Sequence, residues 1–291
     1  MISPRKVTLL GIALASCSVA ATAQAEENSD TSLSYGFGTH FGEPYAGNDV
    51  TKNILGITHR SDYRYGSNYF NGQVELSDKH NSAGPGTDSG GQDVSLSYRN
   101  TLSANKVFGK PDAFSFGPIR DIGITAGVDF DNRDASYYDS RKRMAVVGPT
   151  VMFKVPGYLN ASILSAWESD APYNKVTGIQ SSRQTYDTYP ILNVNWGVPF
   201  SVGPVALSYE GDLSYAASKG TNAFGDKTKP ETDLDMRVMY DVGQWMGAGK
   251  DTLRLGLEYQ YIHNYDGFDH NGPAGKGADT STPLVRAEYH F

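Results

Sequence analysis

The sequence predicts an all-β fold, a twelve-stranded antiparallel transmembrane β-barrel. Three observations support it: apolar and polar residues alternate in segments of about ten residues, the number of segments is even, and short and long connections follow each other. The last segment shows the alternation clearly. Val285, Ala287 and Tyr289 share one face of it, while Arg286 and Glu288 share the other.

The composition limits the classes of protein that the sequence can represent. The chain has 291 residues and one cysteine, which excludes a disulfide-stapled scaffold and a Cys-cluster metal site. Its net charge of −7 argues against nucleic-acid binding. The mean hydropathy of −0.43 resembles that of a soluble protein, but strands with only one lipid-facing side also give a low average. The 19 tyrosines suit the aromatic girdles of a membrane barrel.

Residues 1–25 have the pattern of a secretory signal peptide. Arg5 and Lys6 precede an apolar stretch over 7–15, which is too short to span a bilayer, and Ala23-Gln24-Ala25 is a small-residue cleavage site. We expect residues 26–291 to form the barrel, with 23 basic against 32 acidic residues and a net charge of −9. A competing interpretation is a lipoprotein signal, Leu14-Ala15-Ser16-Cys17, in which Cys17 is lipidated.

Twelve segments of the remaining chain carry the alternating pattern of strands, and no later segment is apolar enough to be a transmembrane helix. Strands are predicted at 31–41, 53–63, 69–78, 92–102, 121–131, 143–155, 158–168, 188–198, 204–217, 232–241, 252–264 and 281–291.

The connections between these segments are short on one side of the predicted barrel and long on the other, as in outer-membrane barrels. Short turns are predicted at 156–157, around Gly66 and at 199–203, and long polar loops at 79–91, 170–187, 218–231 and 265–280. The connection at 103–120 breaks the rule, because it is long where a short turn is expected. With an even strand number and both ends of the barrel on the short-turn side, the long loops are expected to face outward.

A soluble β-sandwich or a lipocalin-like periplasmic barrel is the alternative fold. The signal peptide, the twelve segments and the excess of tyrosine favour a barrel in the bacterial outer membrane. The ending Tyr289-His290-Phe291 resembles the terminal signal of bacterial outer-membrane proteins, in which an aromatic last residue is read by the barrel-assembly machinery. We therefore expect that machinery and outer-membrane lipid to be partners of the chain.

Motif searches do not indicate an enzyme. None of the six histidines lies in H-E-x-x-H, and G-x-S-x-G does not occur. The histidines are interpreted as girdle, loop or lumen residues: His40, His59, His80, His263, His270 and His290. No catalytic residue, metal ligand or cofactor is predicted, although a Ser–His or Asp–His site at the barrel rim would leave no mark in the sequence.

Six stretches that cover most of the barrel resemble the Tsx-like family of nucleoside-specific, channel-forming outer-membrane proteins. They are Ser115-Phe-Gly-Pro-Ile-Arg120 leading to Gly127-Val-Asp-Phe130, Trp167-Glu-Ser-Asp-Ala-Pro-Tyr173, Thr228-Lys-Pro-Glu-Thr-Asp-Leu-Asp-Met236, Tyr240-Asp-Val-Gly243, Gly256-Leu-Glu-Tyr-Gln-Tyr261 and Arg286-Ala-Glu-Tyr-His-Phe291. The resemblance implies a monomeric barrel with a narrow channel, in which aromatic side chains hold the base and polar side chains the sugar of a nucleoside. Aromatic residues that could reach the lumen are Phe41, Tyr45, Tyr69 and Tyr173.

The polar faces of the strands supply charges of both signs for the predicted lumen. The candidate solute-binding residues are Arg99, Asp129, Glu168, Glu210, Asp235, Arg237, Arg254, Glu258, Arg286 and Glu288. The leading prediction is a channel for passive, selective uptake of nucleosides or similar small polar solutes. The alternatives are a surface-binding barrel with a plugged lumen, such as an adhesin or phage receptor, and a hydrolase with its site at the rim.

Overall fold

A computed structural model describes residues 28–84, 86–135, 137–175 and 177–291. The predicted signal peptide and Cys17 lie outside the described residues. No helix among the described residues is long and apolar enough to cross a membrane.

The chain folds into a closed barrel of twelve long antiparallel strands, as the alternation predicts. The strands are β1 (Asn28–Glu43), β2 (Gly47–Tyr63), β3 (Gly66–Ser77), β4 (Gln92–Ser103), β5 (Ile119–Asp134), β6 (Tyr138–Phe153), β7 (Tyr158–Asp170), β8 (Tyr189–Val202), β9 (Val205–Ala216), β10 (Glu231–Asp241), β11 (Leu253–His263) and β12 (Thr280–His290). Each strand pairs with the next one along the chain. The pairing of β12 with β1, from Ser32 with His290 to Gly38 with Leu284, closes the ring.

The two faces of the strands have opposite chemistry. Large apolar side chains on the outer face are exposed at 37 % or more, among them Leu55, Phe130 and Leu257. Polar side chains dominate the inner face, where Thr282, Arg286 and Glu288 alternate with the exposed Val285 and Tyr289. Because the ring is closed, no unpaired sheet edge faces lipid, and the outer face is apolar; both are needed to cross a bilayer with strands.

The connections confirm the predicted asymmetry in part. Tight turns join β2 to β3 at 64–65 and β8 to β9 at 203–204, while the loops at 78–91, 171–188, 217–230 and 264–279 are long. The connection at 104–118 is also long, as predicted, and contains a one-turn helix, α1 (Ala104–Val107). Two connections on the long-loop side are shorter than expected, because the strands on both sides of each extend further than predicted: β1 to Glu43, β2 from Gly47, β5 to Asp134 and β6 from Tyr138.

Glycine is needed where neighbouring strands approach closely. A Cβ atom on Gly148 of β6 would collide with the backbone carbonyl of Ile163 on β7. Gly84, in the loop 78–91, has no atom within 3.8 Å of its Cβ position and an ordinary backbone conformation.

Short elements decorate the loops. Two-residue strands at Tyr173–Asn174 and Gln184–Thr185 extend the pairing of β6 and β7 into the loop 171–188. 3₁₀ turns occupy Tyr265–Gly267 and Gly275–Ala278 in the loop 264–279.

Candidate functional site

Seven of the ten predicted lumen residues form one network of ion pairs on the inner face of β9 to β12. Arg237 on β10 lies 3.2 Å from Glu210, 3.7 Å from Asp235 and 3.5 Å from Glu288, measured between guanidinium nitrogens and carboxylate oxygens. Arg254 contacts Glu210 at 2.8 Å. Three arginines and four carboxylates that the alternation predicts on one face therefore pair with one another inside the barrel.

The deepest part of this network surrounds Arg286 of β12. Its guanidinium contacts Glu258 at 2.9 Å, Glu288 at 2.7 Å and the hydroxyl of Ser34 at 3.0 Å. The side chains of Arg286, Glu258 and Glu288 are each no more than 4 % exposed. Burial of charges at this depth is tolerable only with full pairing, so this cluster stabilises the wall and offers little surface to a solute.

The remaining three predicted residues lie elsewhere on the inner face. Arg99 of β4 and Asp129 of β5 form a two-pronged pair with both nitrogen–oxygen distances at 2.7 Å. Asp212 of β9, on the other side of the lumen, is close enough to interact electrostatically with both. Glu168 of β7 lies nearer the long-loop end, where it pairs with Lys219 at 2.6 Å.

An arginine between two tyrosines crosses the lumen nearer the short-turn end. The guanidinium carbon of Arg60 on β2 lies 3.5 Å from the ring centroid of Tyr158 on β7 and 5.4 Å from that of Tyr69 on β3. β2 and β7 are five strands apart in the ring, so the contact with Tyr158 bridges the barrel. Tyr69 was a sequence candidate for the lumen, whereas Arg60 and Tyr158 were not identified.

The loop 264–279 folds into the long-loop mouth of the barrel. Its Asp266 is 12 % exposed and contacts Lys142 of β6 at 2.7 Å and Arg133 of β5 at 3.3 Å. Arg133 also contacts the hydroxyl of Tyr265 and pairs with Asp93 at 3.0 Å. Lys142 and Arg133, helped by a further lysine, hold the pKa of Asp266 below its usual range despite burial. The Asp266 carboxylate therefore holds the loop 264–279 against β5 and β6, across the barrel from the strands that the loop connects.

Aromatic side chains from three loops and one strand pack over the same mouth. The ring of Tyr138 lies 6.2 Å from Tyr45, 5.6 Å from Phe268 and 6.4 Å from Phe224, measured between centroids. Tyr45, a sequence candidate for the lumen, therefore belongs to the closure of the mouth. Phe41, another candidate, is 1 % exposed and packs in a core cluster with Val50.

The two ends of the barrel differ in open space. Beneath the mouth loop there is a cavity of about 20 Å³, lined by Lys142, Glu168 and Asp266 among others. At the short-turn end a cavity of about 500 Å³ opens beside α1, with Ser67, Lys106 and Asp121 in its lining. A small organic solute fits the second space and not the first.

Several solved structures of outer-membrane proteins are distantly similar to this chain. No family model matches the sequence, and no curated protein matches it significantly. Among solved structures, the translocator domain of autotransporter NalP from Neisseria meningitidis has a TM-score of 0.42 and 11% identity, covering 90% of this chain and 87% of that one. The KdgM porin has a TM-score of 0.37 and 10% identity, covering 89% of this chain and 99% of its own. A bacterial polysaccharide outer-membrane secretin has a TM-score of 0.38 and 9% identity, covering 92% and 99%.

The chain is a multi-pass β-barrel of the bacterial outer membrane, because its twelve strands close into a ring with an apolar outer face and a polar interior, as predicted. All ten predicted lumen residues take part in ion pairs, in three groups along the barrel. Two features were missed: the Arg60–Tyr158 bridge and the attachment of Asp266. Both join strands or loops that are far apart in sequence, and neither has a local signature.

Proposed function

We propose that the chain is a passive outer-membrane channel for small polar solutes, with nucleosides the class that the resemblance to the Tsx-like family suggests. The observation that carries the proposal is the partly open, charged wall of the mid-lumen. The side chains of Arg99, Asp129, Glu210, Arg237 and Asp235 remain between 14% and 26% exposed inside the ring. Charges that stay accessible can exchange a partner for a solute hydroxyl, which fully buried ones cannot.

The Arg60 bridge supports a flat solute in particular. A guanidinium held over one tyrosine and near another occupies the kind of space that a nucleobase would fill. Stacking of a base on an aromatic ring supplies about 1–3 kcal/mol. Passage requires binding that is weak enough for release, and exchange of one stacked partner for another meets that need.

The closed mouth favours a second candidate, a surface-binding barrel with a plugged lumen. Asp266 and the aromatic cluster around Tyr138 block the direct route from the long-loop side. In the channel proposal the loop 264–279 swings out or shifts to admit solute. In the alternative it stays closed, and the long loops bind a partner.

Planar-bilayer recording of the purified chain separates the two candidates. A channel gives discrete conductance steps, and a nucleoside channel is blocked by adenosine in a concentration-dependent way but not by a sugar of similar size. Absence of conductance under all voltages would reject the channel. Conductance without block by adenosine would keep the channel and reject the nucleoside as its solute.

The Tyr158→Leu variant tests the stacking site. Loss of one stacking partner worth about 1–3 kcal/mol predicts a roughly 10-fold weaker block by adenosine. Tyr215→Leu is the matched control, because Tyr215 lies on the outer face and is 47% exposed to lipid. Equal block in the two variants would remove Tyr158 from the site.

Substitution of mid-lumen charges tests the polar part of the site. Arg237→Ala should change the block, since the Arg237 side chain is 21% exposed and its guanidinium pairs with three carboxylates. Glu258 was an equal candidate from the sequence, but its side chain is only 3% exposed beside Arg286. An unchanged titration for Arg237→Ala would exclude it as a solute contact.

A further inference from the structure

Two histidines and one aspartate converge at the base of the loop 264–279, away from the lumen network. His263 ends β11, Asp279 precedes β12, and His270 lies between them in the loop. The Nδ1 atom of His263 is 2.8 Å from one carboxylate oxygen of Asp279, and the Nδ1 atom of His270 is 2.8 Å from the other. The two imidazole rings lie edge to face, with their centroids 4.7 Å apart.

We propose that His263, His270 and Asp279 bind a divalent transition-metal ion of the Zn²⁺ or Cu²⁺ class. Imidazole nitrogen and carboxylate oxygen are the ligands that these ions prefer in sites without cysteine. One donor atom from each residue lies within 4.8 Å of the other two. Ligands bound at about 2.0–2.2 Å stand roughly 3 Å apart around the ion, so small side-chain shifts suffice.

The backbone around the cluster holds two of the three ligands in place. The backbone N–H of Asn264 donates to the Asp279 carboxylate at 3.2 Å, and its side-chain oxygen accepts from the backbone N–H of His270 at 3.1 Å. The side-chain amide of Asn264 in turn donates to the carbonyl of Pro230 at 3.0 Å. Outer hydrogen bonds of this kind fix ligand orientation and contribute strongly to metal affinity.

The cluster is also accessible to an ion from solution. The three side chains are each 34% to 35% exposed, so water can complete the coordination shell. Without an ion, each imidazole can donate its Nδ1–H to a separate oxygen of the Asp279 carboxylate. An ion bound at both Nδ1 atoms takes the place of these two hydrogen bonds, and each ring carries its single proton on Nε2 instead, so that no net proton is released and all three side chains are satisfied together.

Metal titration of the full barrel in detergent tests the proposal. We expect ZnCl₂ to bind with one ion per chain by calorimetry, and CoCl₂ to give visible absorption bands of histidine ligation. His270→Ala and His263→Ala should each weaken binding at least 10-fold. His80→Ala is the matched control, because His80 is an exposed loop histidine 2.8 Å from Asp78, and among the described residues it belongs to no three-residue cluster of this kind.

The variants are checked for folding before binding is compared. Boiled and unboiled samples that migrate differently in SDS gels show an intact barrel, and Asp279→Asn offers a second variant of nearly equal shape. Binding that is the same in His270→Ala as in the unmodified chain would overturn the site. So would the absence of stoichiometric Zn²⁺ binding, or an equal loss in His80→Ala.

A bound ion has a second measurable effect. It would tie the middle of the loop at His270 to both of its ends, so that Lys276, which is exposed in the loop, is cut more slowly by trypsin when ZnCl₂ is present. In the His270→Ala variant, which lacks one ligand, we expect trypsin to cut at Lys276 at the same rate with and without ZnCl₂. Protection that persists in this variant would argue against the three-residue site.

Discussion

The attachment of Asp266 predicts that a single uncharged substitution opens the mouth of the barrel. Asp266→Asn preserves the shape of the side chain but removes the charge that Lys142 and Arg133 face at 2.7 and 3.3 Å. Those two cations lie on β6 and β5, across the ring from the loop 264–279. The substitution therefore weakens the link between loop and wall without altering any strand pairing.

The magnitude follows from the burial of the pair. Breaking a buried ion pair costs about 3–5 kcal/mol, and Asp266 is 12% exposed. Arg133 keeps Asp93 at 3.0 Å, so we expect the lower end, about 3 kcal/mol. At 1.4 kcal/mol for each factor of ten, the open state of the loop should become roughly 100-fold more populated.

Single-channel recording at neutral pH measures this population as the fraction of time spent at high conductance. Asp269→Asn is the control in the same loop, because Asp269 forms an exposed pair with Lys229 at 3.2 Å that is worth little. Identical traces for Asp266→Asn and the unmodified chain would refute the reasoning, and so would an equal effect of Asp269→Asn.

The pH dependence gives an independent check on Asp266. Its pKa is lowered in the folded state by the nearby cations, so its contribution to loop closure is complete above the ordinary range of a carboxyl group. That contribution is lost only as the pH falls through the lowered pKa. The unmodified channel should thus open in strongly acidic solution, whereas Asp266→Asn should show no such transition.

Three further predictions concern the wall and the chain end. Glu258→Ala removes one of the carboxylates that pair with Arg286, whose side chain is 4% exposed. It should therefore lower the free energy of unfolding by about 3–5 kcal/mol in urea titrations. A loss below 1 kcal/mol would contradict a buried pair. Gly148→Ala should lower the free energy of unfolding by about 1–3 kcal/mol, because the added methyl group overpacks against β7. Gly84→Ala should lower it by less than half as much in the same titration. Phe291→Ala should reduce assembly into the outer membrane of cells while leaving refolding of the purified chain unchanged, because its side chain is 68% exposed; equal amounts of assembled protein would exclude a role as assembly signal.

The strands were predictable from sequence because lipid and lumen impose a period of two on every membrane-spanning segment. The alternation of apolar and polar residues is lost where a strand continues past its apolar segment toward the long-loop end of the barrel. In β6 the outward-facing Arg141 and Arg143 are polar, so the pattern placed the strand start at 143 although pairing begins at Tyr138. Hydrogen bonding continues there without a change in hydropathy to reveal it.

The sequence predicts which side chains face the lumen, but not which of them pair with each other. Alternation shows that Arg237 and Glu210 face inward, yet their pairing depends on the register of β9 with β10, which places them directly opposite each other. The contact of Asp266 with Arg133 joins positions 133 residues apart. Such contacts depend on the path of a loop through space, for which the sequence carries no periodic signal.

Because β1 pairs with β12, every strand of the ring has two neighbours, and the ends of the chain could be moved to another loop. The start of β1 at Asn28 and the end of β12 at His290 lie together at the short-turn end of the barrel. There the backbone N–H of Phe291 donates to the carbonyl of Thr31 at 2.9 Å. A short linker could join the two strand ends, and new ends could be made in the loop 217–230 without removing a single inter-strand hydrogen bond. Such a circular permutant would keep the same ring of twelve strands, but its C-terminal strand would be β9, which lacks the Arg286 cluster.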